Sequence, residues 1–296
     1  MPGLTNIKSV NEFIERDFDQ GVNRTYIYYN KSSTHIHTAK QEVDILETPK
    51  WGKMLFLDGC LQSTTMDEII YHTALVHPLL STLRNKDKIL ILGGGEGATA
   101  REVLRWPVFS VEMVDYDKEL VEHMQLHGAQ WSQGAWNDLR LKLIYNCAWA
   151  HMAKARKYDA VIVDLTDPDF KRDGWLELLT NVLNSVKESK GGFVMNAGLY
   201  LPWDTRKLQE ILGVIRTLCS KNPGFKYYMY TAFIPSFNGE WTCIVVAHKQ
   251  SFMIEPEHLD IIPAWIRRSI RTLPDSLLES VSTAPILSKI SVNPDI

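Results

Sequence analysis

Cysteine, net charge and long apolar runs are all scarce in this chain of 296 residues. Cys60, Cys147, Cys219 and Cys243 lie far apart and form no CxxC pair, so neither a disulfide framework nor a zinc site is indicated. The formal net charge of -3 gives no electrostatic basis for binding nucleic acid. No run approaches the roughly 18 apolar residues of a membrane span. We therefore expect a cytoplasmic protein with reduced, buried thiols and with no nucleic-acid or membrane partner.

The chain also lacks internal repeats and low-complexity linkers, and its pattern changes once along its length. The first eighty or so residues are rich in strand patterns such as "QEVDILET" and "KMLFLDG". A helical segment, "MDEIIYHTALVHPLLSTL", follows. From residue 88 onward, strands, turns and helices alternate, which is typical of an α/β fold with a mostly parallel sheet covered by helices on both faces. The sequence thus predicts a small N-terminal β domain at 1–80 and a Rossmann-like domain at 81–296, with helices packing in the tail near "PAWIRRSIRTL".

A glycine-rich turn, "GGGEG", follows the apolar run "ILIL" at the start of the predicted sheet. In such folds this turn lets the backbone approach a nucleotide, and we expect Gly93 and Gly95 to do so here. Asp115, about twenty residues further on, is placed to bind ribose hydroxyls. Glu96 is unusual, because a carboxylate would repel a pyrophosphate but attract a sulfonium or an amine. The turn therefore favours a cationic nucleoside over a dinucleotide.

A second acidic cluster, "DLTDPD", follows the fourth predicted strand of this domain. Asp164 and Asp167 fall where ligand-facing loops begin in this architecture. Two carboxylates at this position could bind an amine and accept its proton, which would free the nitrogen lone pair for attack.

Taken together, the motifs resemble the polyamine aminopropyltransferases, which include the spermidine, spermine and thermospermine synthases. The similarity runs collinearly over about residues 38–248, through "LDGCLQST", "DEIIYH", "GGGEGATAREVLR", "DYD", "YDAVIVDLTDP" and "IPSFNGEW". The resemblance implies an N-terminal β domain joined to a methyltransferase-like sheet, and assembly as a homodimer or homotetramer. It also implies transfer of the aminopropyl group of decarboxylated S-adenosylmethionine to a small-molecule amine, with release of methylthioadenosine.

The same resemblance assigns a donor site. Glu96 would meet the amino end of the aminopropyl group, Asp115 would bind the ribose, and Gln41 would contact the nucleoside. Asn146 and Cys147 stand where the family usually has Asp followed by a small residue at the adenine, so Asn146 would give a weaker, neutral acceptor. The resemblance implies no metal.

The acceptor side is assigned in the same way. Asp164 would accept the proton of the attacking amine, and Tyr71 would help to orient that amine. Four further positions match cleft residues that hold donor or acceptor: Gln62, His72, Asp167 and Trp241.

One segment departs from the family pattern and leaves alternatives open. Where the family has a short "GPA" segment, this chain has "DFKRDGW", whose Lys171 and Arg172 would repel a polyamine unless Asp169 and Asp173 neutralise them. Aminopropyl transfer to an anionic or peptide-nucleotide acceptor is therefore a second hypothesis. Methyl transfer from S-adenosylmethionine is a third, which Glu96 disfavours. A catalytically silent paralogue is a fourth.

Overall fold

The computed structural model describes residues 10–17, 21–29, 33–154, 156–168, 174–253, 259–267 and 270–272. Its residues form two compact units. One runs to Ile69 and includes Pro235–Phe237, and the other comprises the remainder. The sequence places the boundary near residue 80, at the end of a helix, whereas the units divide near the start of that helix.

The first unit consists of antiparallel strands. A hairpin is formed by β1 (Val10–Asp17) and β2 (Val22–Tyr29), and a second sheet has the order β3 (Thr34–His37), β4 (Glu42–Thr48), β5 (Gly52–Leu57), β6 (Cys60–Thr64). Buried Leu46, Met54 and Phe56 form the core of the unit, and the ring of Phe13 lies 4.5 Å from that of Phe56. The alternating patterns read from the sequence thus correspond to strands with one apolar face.

The second unit is built on an eight-stranded sheet. Its strands are β7 (Lys88–Gly93), β8 (Ser110–Asp115), β9 (Leu141–Tyr145), β10 (Ala160–Asp164), β11 (Gly192–Leu199), β12 (Phe225–Ile234), β13 (Gly239–His248) and β14 (Ile270–Thr272). Their spatial order is β14-β12-β13-β11-β10-β7-β8-β9. The five strands from β11 to β9 are parallel neighbours, whereas β13, β12 and β14 join by antiparallel pairing. This confirms the predicted mostly parallel α/β fold.

Helices connect and cover these strands. They are α1 (Glu68–Leu80), α2 (Ala98–Leu104), α3 (Lys118–His127), α4 (Ala129–Ser132), α5 (Ala148–Met152), α6 (Trp175–Val186), α7 (Arg206–Lys221) and α8 (Ala264–Arg267). Successive residues of β7 from Ile89 to Leu92 are all fully buried, as a sheet covered on both faces requires. Among the described residues, no helix is long and apolar enough to cross a membrane.

A hydrogen bond next to a proline attaches α1 to the sheet. Pro78 lacks an N–H, so the carbonyl of Ala74, four residues earlier, has no helical partner. The fully buried hydroxyl of Tyr230 in β12 donates to that carbonyl at 2.6 Å. Because Ala74 lies within one helical turn of Tyr71 and His72, this bond helps to anchor the part of α1 that carries both.

The tail and the cysteines differ in part from what the sequence predicts. Among its described residues, the segment "PAWIRRSIRTL" contains a packing helix, the four-residue α8 with buried Ile266, and also the strand β14, because Ile270–Thr272 pair with β12. The four cysteines are free, but only Cys243 is buried; Cys60 and Cys147 are exposed. Cys60 begins a strand after a tight turn, and Cys147 directly precedes α5 at the edge of the sheet.

Candidate active site

The candidate site lies along the carboxyl edge of the parallel strands, where open α/β sheets bind ligands. Four of the five parallel strands are followed by, or end in, residues that the sequence predicts for the site. They are Glu96 after β7, Asp115 at the end of β8, Asn146 and Cys147 after β9, and Asp164 at the end of β10 with Asp167 beyond it.

Two glycines make the close approach of the first turn possible. Gly93 has a φ of +85°, and a Cβ there would lie 2.0 Å from the backbone oxygen of Asp164 in the neighbouring strand. A Cβ on Gly95 would lie 3.1 Å from Oδ2 of Asp115. Side chains at these positions would force the turn away from the Asp164 backbone and from the Asp115 carboxylate, so the glycines set its distance from both residues.

Asp164 is held by two hydroxyl donors. The Tyr71 hydroxyl donates to Oδ1 at 2.9 Å, and the Thr99 hydroxyl donates to Oδ2 at 2.5 Å. Burial raises the pKa of the Asp164 carboxyl, the negative charge of Glu96 raises it further, and His72 and the two hydroxyl bonds oppose that rise. A carboxyl group balanced in this way is suited to exchange a proton with a ligand.

Glu96 is paired with a buried histidine. Oε1 of Glu96 lies 2.8 Å from Nε2 of His72, whose side chain is 3% exposed against 14% for Glu96. Ligand atoms of these two residues and of Asp164 all lie within 4.8 Å of one another. This negatively charged group would attract a cation, either a ligand ammonium or a metal ion. The expectation of a metal-free site therefore stays a prediction.

Asp115 completes the acidic edge. Its Oδ1 accepts a hydrogen bond from the backbone N–H of Asp117 at 2.9 Å. Burial raises the pKa of Asp115 to about 6, and the charges of Asp117, Glu96 and Asp164 add to that rise, whereas the Asp117 backbone bond opposes it. Holding this carboxylate ionised at neutral pH therefore costs folding free energy.

We expect Asp115→Asn to stabilise the ligand-free protein at pH 7.5. The carboxyl binds its proton more tightly when folded than when unfolded, where its pKa is 3.8, so its destabilising effect develops as the pH rises from 3.8 to about 6. Removing that charge should raise the free energy of unfolding by about 1–3 kcal/mol at pH 7.5 and by less at pH 5.

Urea denaturation of both proteins at the two pH values measures this difference. The exposed Asp260, changed to asparagine, serves as the control and should show no gain. A variant at position 115 that is no more stable than the wild-type protein at pH 7.5 would contradict the stated cost.

Asp167 is positioned by a residue that the sequence did not single out. Nδ2 of buried Asn196 in β11 donates to Oδ1 of Asp167 at 3.0 Å. Oδ1 of Asn196 accepts from the indole N–H of Trp241 at 2.7 Å and from the backbone N–H of Gly198 at 2.8 Å. Asn196 therefore links Asp167 and Trp241, while Asp167 itself stays exposed.

The segment after β9 is hydrogen-bonded to the end of β8. The backbone N–H of Asn146 donates to the carbonyl of Asp115 at 3.0 Å, and Oδ1 of Asn146 accepts from the backbone N–H of Cys147 at 2.9 Å. The amide oxygen expected to face the adenine thus has one lone pair occupied and one available. The adenine contact stays a prediction.

The two glutamines of the predicted site belong to the first unit. Gln41 is buried, and its backbone carbonyl accepts from the N–H of Thr38 at 3.0 Å. Nε2 of Gln62 donates to the carbonyl of Cys60 at 3.1 Å. Their roles toward a ligand stay predictions. Four residues of the loop that departs from the family pattern lie outside the described residues: Asp169, Lys171, Arg172 and Asp173.

A family model for the spermine/spermidine synthase domain matches residues 68–256, which include the acidic edge just described. The chain belongs to the spermine/spermidine synthase family. It is accordingly a transferase, as the resemblance in its sequence implied.

Individual relatives of this spermine/spermidine synthase family member agree. A polyamine aminopropyltransferase of Korarchaeum cryptofilum is 33% identical over 259 residues, 86% of this chain and 77% of the relative. One of Sulfurisphaera tokodaii is 37% identical over 208 residues, 69% and 67% of the two chains.

Solved structures share the fold. Spermidine synthase from Thermotoga maritima superposes with a TM-score of 0.69 at 20% identity, over 98% of this chain and 95% of the other. A spermidine synthase in complex with the transition-state analogue AdoDATO gives a TM-score of 0.71 at 21% identity, over 98% and 96%.

Two residues of the site escaped the sequence interpretation, Thr99 and Asn196. Each had a weak signal, because a polar residue interrupts a run of small or apolar ones, in "GATA" and in "FVMNAG". Such interruptions are too common to point to a site without the fold.

Proposed function

We propose that this family member transfers the aminopropyl group of decarboxylated S-adenosylmethionine to a diamine or polyamine and releases methylthioadenosine. The observation that carries the proposal is the carboxylate of Glu96 within the glycine turn, paired with buried His72 and close to Asp164. A donor with a sulfonium and a terminal ammonium supplies two positive charges to this edge. Ordinary S-adenosylmethionine would bring its own carboxylate toward Glu96.

In the proposed donor site, Glu96 would bind the ammonium of the aminopropyl group. Asp115 would accept hydrogen bonds from the ribose hydroxyls, and the backbone of Gly93 and Gly95 would line the approach. Asn146 and Cys147 would face the adenine. Gln41 would add a nucleoside contact.

In the proposed acceptor site, Asp167 would attract the distant ammonium of a diamine, with Trp241 beside it. Gln62 and His72 would help to hold the donor or the acceptor. The reacting nitrogen would lie within hydrogen-bond reach of both the Tyr71 hydroxyl oxygen and the Asp164 carboxylate, which are hydrogen-bonded to each other.

The reaction is an in-line displacement. The neutral amine nitrogen forms a bond to the carbon next to sulfur as the C–S bond breaks, and the bonding electrons pass to sulfur, which becomes the neutral thioether of methylthioadenosine. The nitrogen proton passes to Asp164. Rate would come from positioning the nitrogen against the carbon and from removing its proton.

A product assay tests the acceptor. Purified protein is given decarboxylated S-adenosylmethionine with putrescine, cadaverine, agmatine, spermidine or spermine in turn, and products are identified by mass spectrometry. We expect methylthioadenosine and one aminopropylated amine in equal amounts. Donor binding without modification of any of these amines would overturn the polyamine acceptor and turn the search to anionic or peptide-linked ones.

The chemistry proposed uses no metal, so activity should survive a chelator. We expect an unchanged rate after dialysis against EDTA, measured by methylthioadenosine release. Loss of activity that returns on addition of a divalent cation would instead make His72, Glu96 and Asp164 candidate metal ligands.

The proposal also includes a cytoplasmic location and assembly as a homodimer or homotetramer.

A further inference from the structure

We propose that Thr99 is a positioning residue for the proton acceptor Asp164, an inference that rests on the proposed function. Thr99 is the second residue of α2 and is fully buried. Its hydroxyl donates to Oδ2 of Asp164 at 2.5 Å, across 65 positions of the chain. Tyr71 holds the other oxygen, Oδ1, at 2.9 Å.

The two bonds together fix the plane of the carboxylate. Each oxygen has two lone pairs, so one on each stays available for the proton of a ligand. With both oxygens held, the carboxylate cannot rotate about its Cβ–Cγ bond without breaking a hydrogen bond. A fixed orientation of this kind is what proton transfer from a bound amine requires.

The hydrogen bond from Thr99 helps to keep Asp164 ionised. Burial and the charge of Glu96 favour the neutral acid, which cannot accept a proton, and the Thr99 bond opposes this by lowering the pKa of Asp164. Other titratable groups also face the carboxylate. They are Tyr71 and His72 of α1, Glu96 of the glycine turn, Asp115 of β8 and Cys243 of β13.

Three substitutions at position 99 test the inference. Thr99→Val keeps the shape of the side chain and removes the hydroxyl. Thr99→Ala removes both the hydroxyl and the methyl group, and Thr99→Ser keeps the hydroxyl. We expect valine and alanine to lower kcat about 10- to 100-fold, the loss typical of a hydrogen bond to a charged group. The acidic limb of the pH–rate profile should move to higher pH. Serine should restore both the rate and the profile to nearly wild-type values.

Thr73→Val is the matched control. The Thr73 hydroxyl is also fully buried and has no hydrogen-bond partner among the described residues. Its loss should leave rate and profile unchanged. Affinity for decarboxylated S-adenosylmethionine, measured by calorimetry, should stay unchanged in all four variants.

The outcomes separate the two proposals. If wild-type protein transfers no aminopropyl group, the proposed function fails. If the wild-type protein is active, and the folded valine or alanine variant keeps the wild-type kcat and acidic limb, the role of Thr99 is overturned and the proposed function stands. A serine variant as impaired as valine would also overturn it, because the methyl group, and not the hydroxyl, would then carry the effect.

Discussion

Asp164→Asn is expected to lower kcat by about 100- to 10,000-fold, the usual contribution of a positioned general base. An amide cannot take the proton of the attacking amine, so the nitrogen would have to lose it to water. The amide oxygen can still accept one of the two hydroxyl bonds from Tyr71 and Thr99, so the fold of the site should survive. Donor affinity should change less than about threefold, because Glu96 and Asp115 remain.

The other end of the same strand supplies the control. Asp159 precedes β10 and accepts the backbone N–H of Lys88 at 2.9 Å, a bond that an asparagine oxygen can keep. Asp159→Asn should turn over at the wild-type rate. The rate is followed by methylthioadenosine release and the affinity by calorimetry. Wild-type turnover in the Asp164 variant would remove that residue from the mechanism.

Glu96→Gln is expected to abolish the choice between the two sulfonium donors. Glutamine can keep the hydrogen bond to His72 but loses the charge that would bind the ammonium of decarboxylated S-adenosylmethionine. Affinity for that donor should fall about 10- to 100-fold, since a charge-assisted bond becomes a neutral one. Affinity for S-adenosylmethionine should rise, because its carboxylate would no longer meet a like charge.

Calorimetry with both donors measures this preference. Glu122→Gln, on the exposed face of α3 where Glu122 pairs with Lys118, alters the same charge away from the site and should keep the wild-type preference. A Glu96 variant that still prefers the decarboxylated donor by the wild-type ratio would show that selection resides elsewhere.

The parallel strands could be predicted because their signal is local. In β7 every residue from Ile89 to Leu92 is apolar, and both faces of the strand are buried, so length and flanking glycines are enough to identify it. Strand β14 could not be predicted in this way. Ile270–Thr272 become a strand only because they pair with Tyr230–Ala232, about forty positions earlier in the chain.

The acidic edge followed from the same reasoning, since carboxyl ends of parallel strands converge. Glu96, Asp115 and Asp164 could therefore be named from their positions alone. The partners that set their orientation could not. His72 meets Glu96 across 24 positions, and Asn196 meets Asp167 across 29, and such contacts depend on side-chain directions that only the folded chain defines.

One competition assay tests the central claim, that this chain moves an aminopropyl group. The wild-type protein is offered decarboxylated S-adenosylmethionine and S-adenosylmethionine at equal concentration, together with its amine acceptor, and the products are identified by mass spectrometry. We predict an aminopropylated amine and methylthioadenosine, with the second donor left unconsumed. A methylated amine with S-adenosylhomocysteine would contradict the claim and make the chain a methyltransferase.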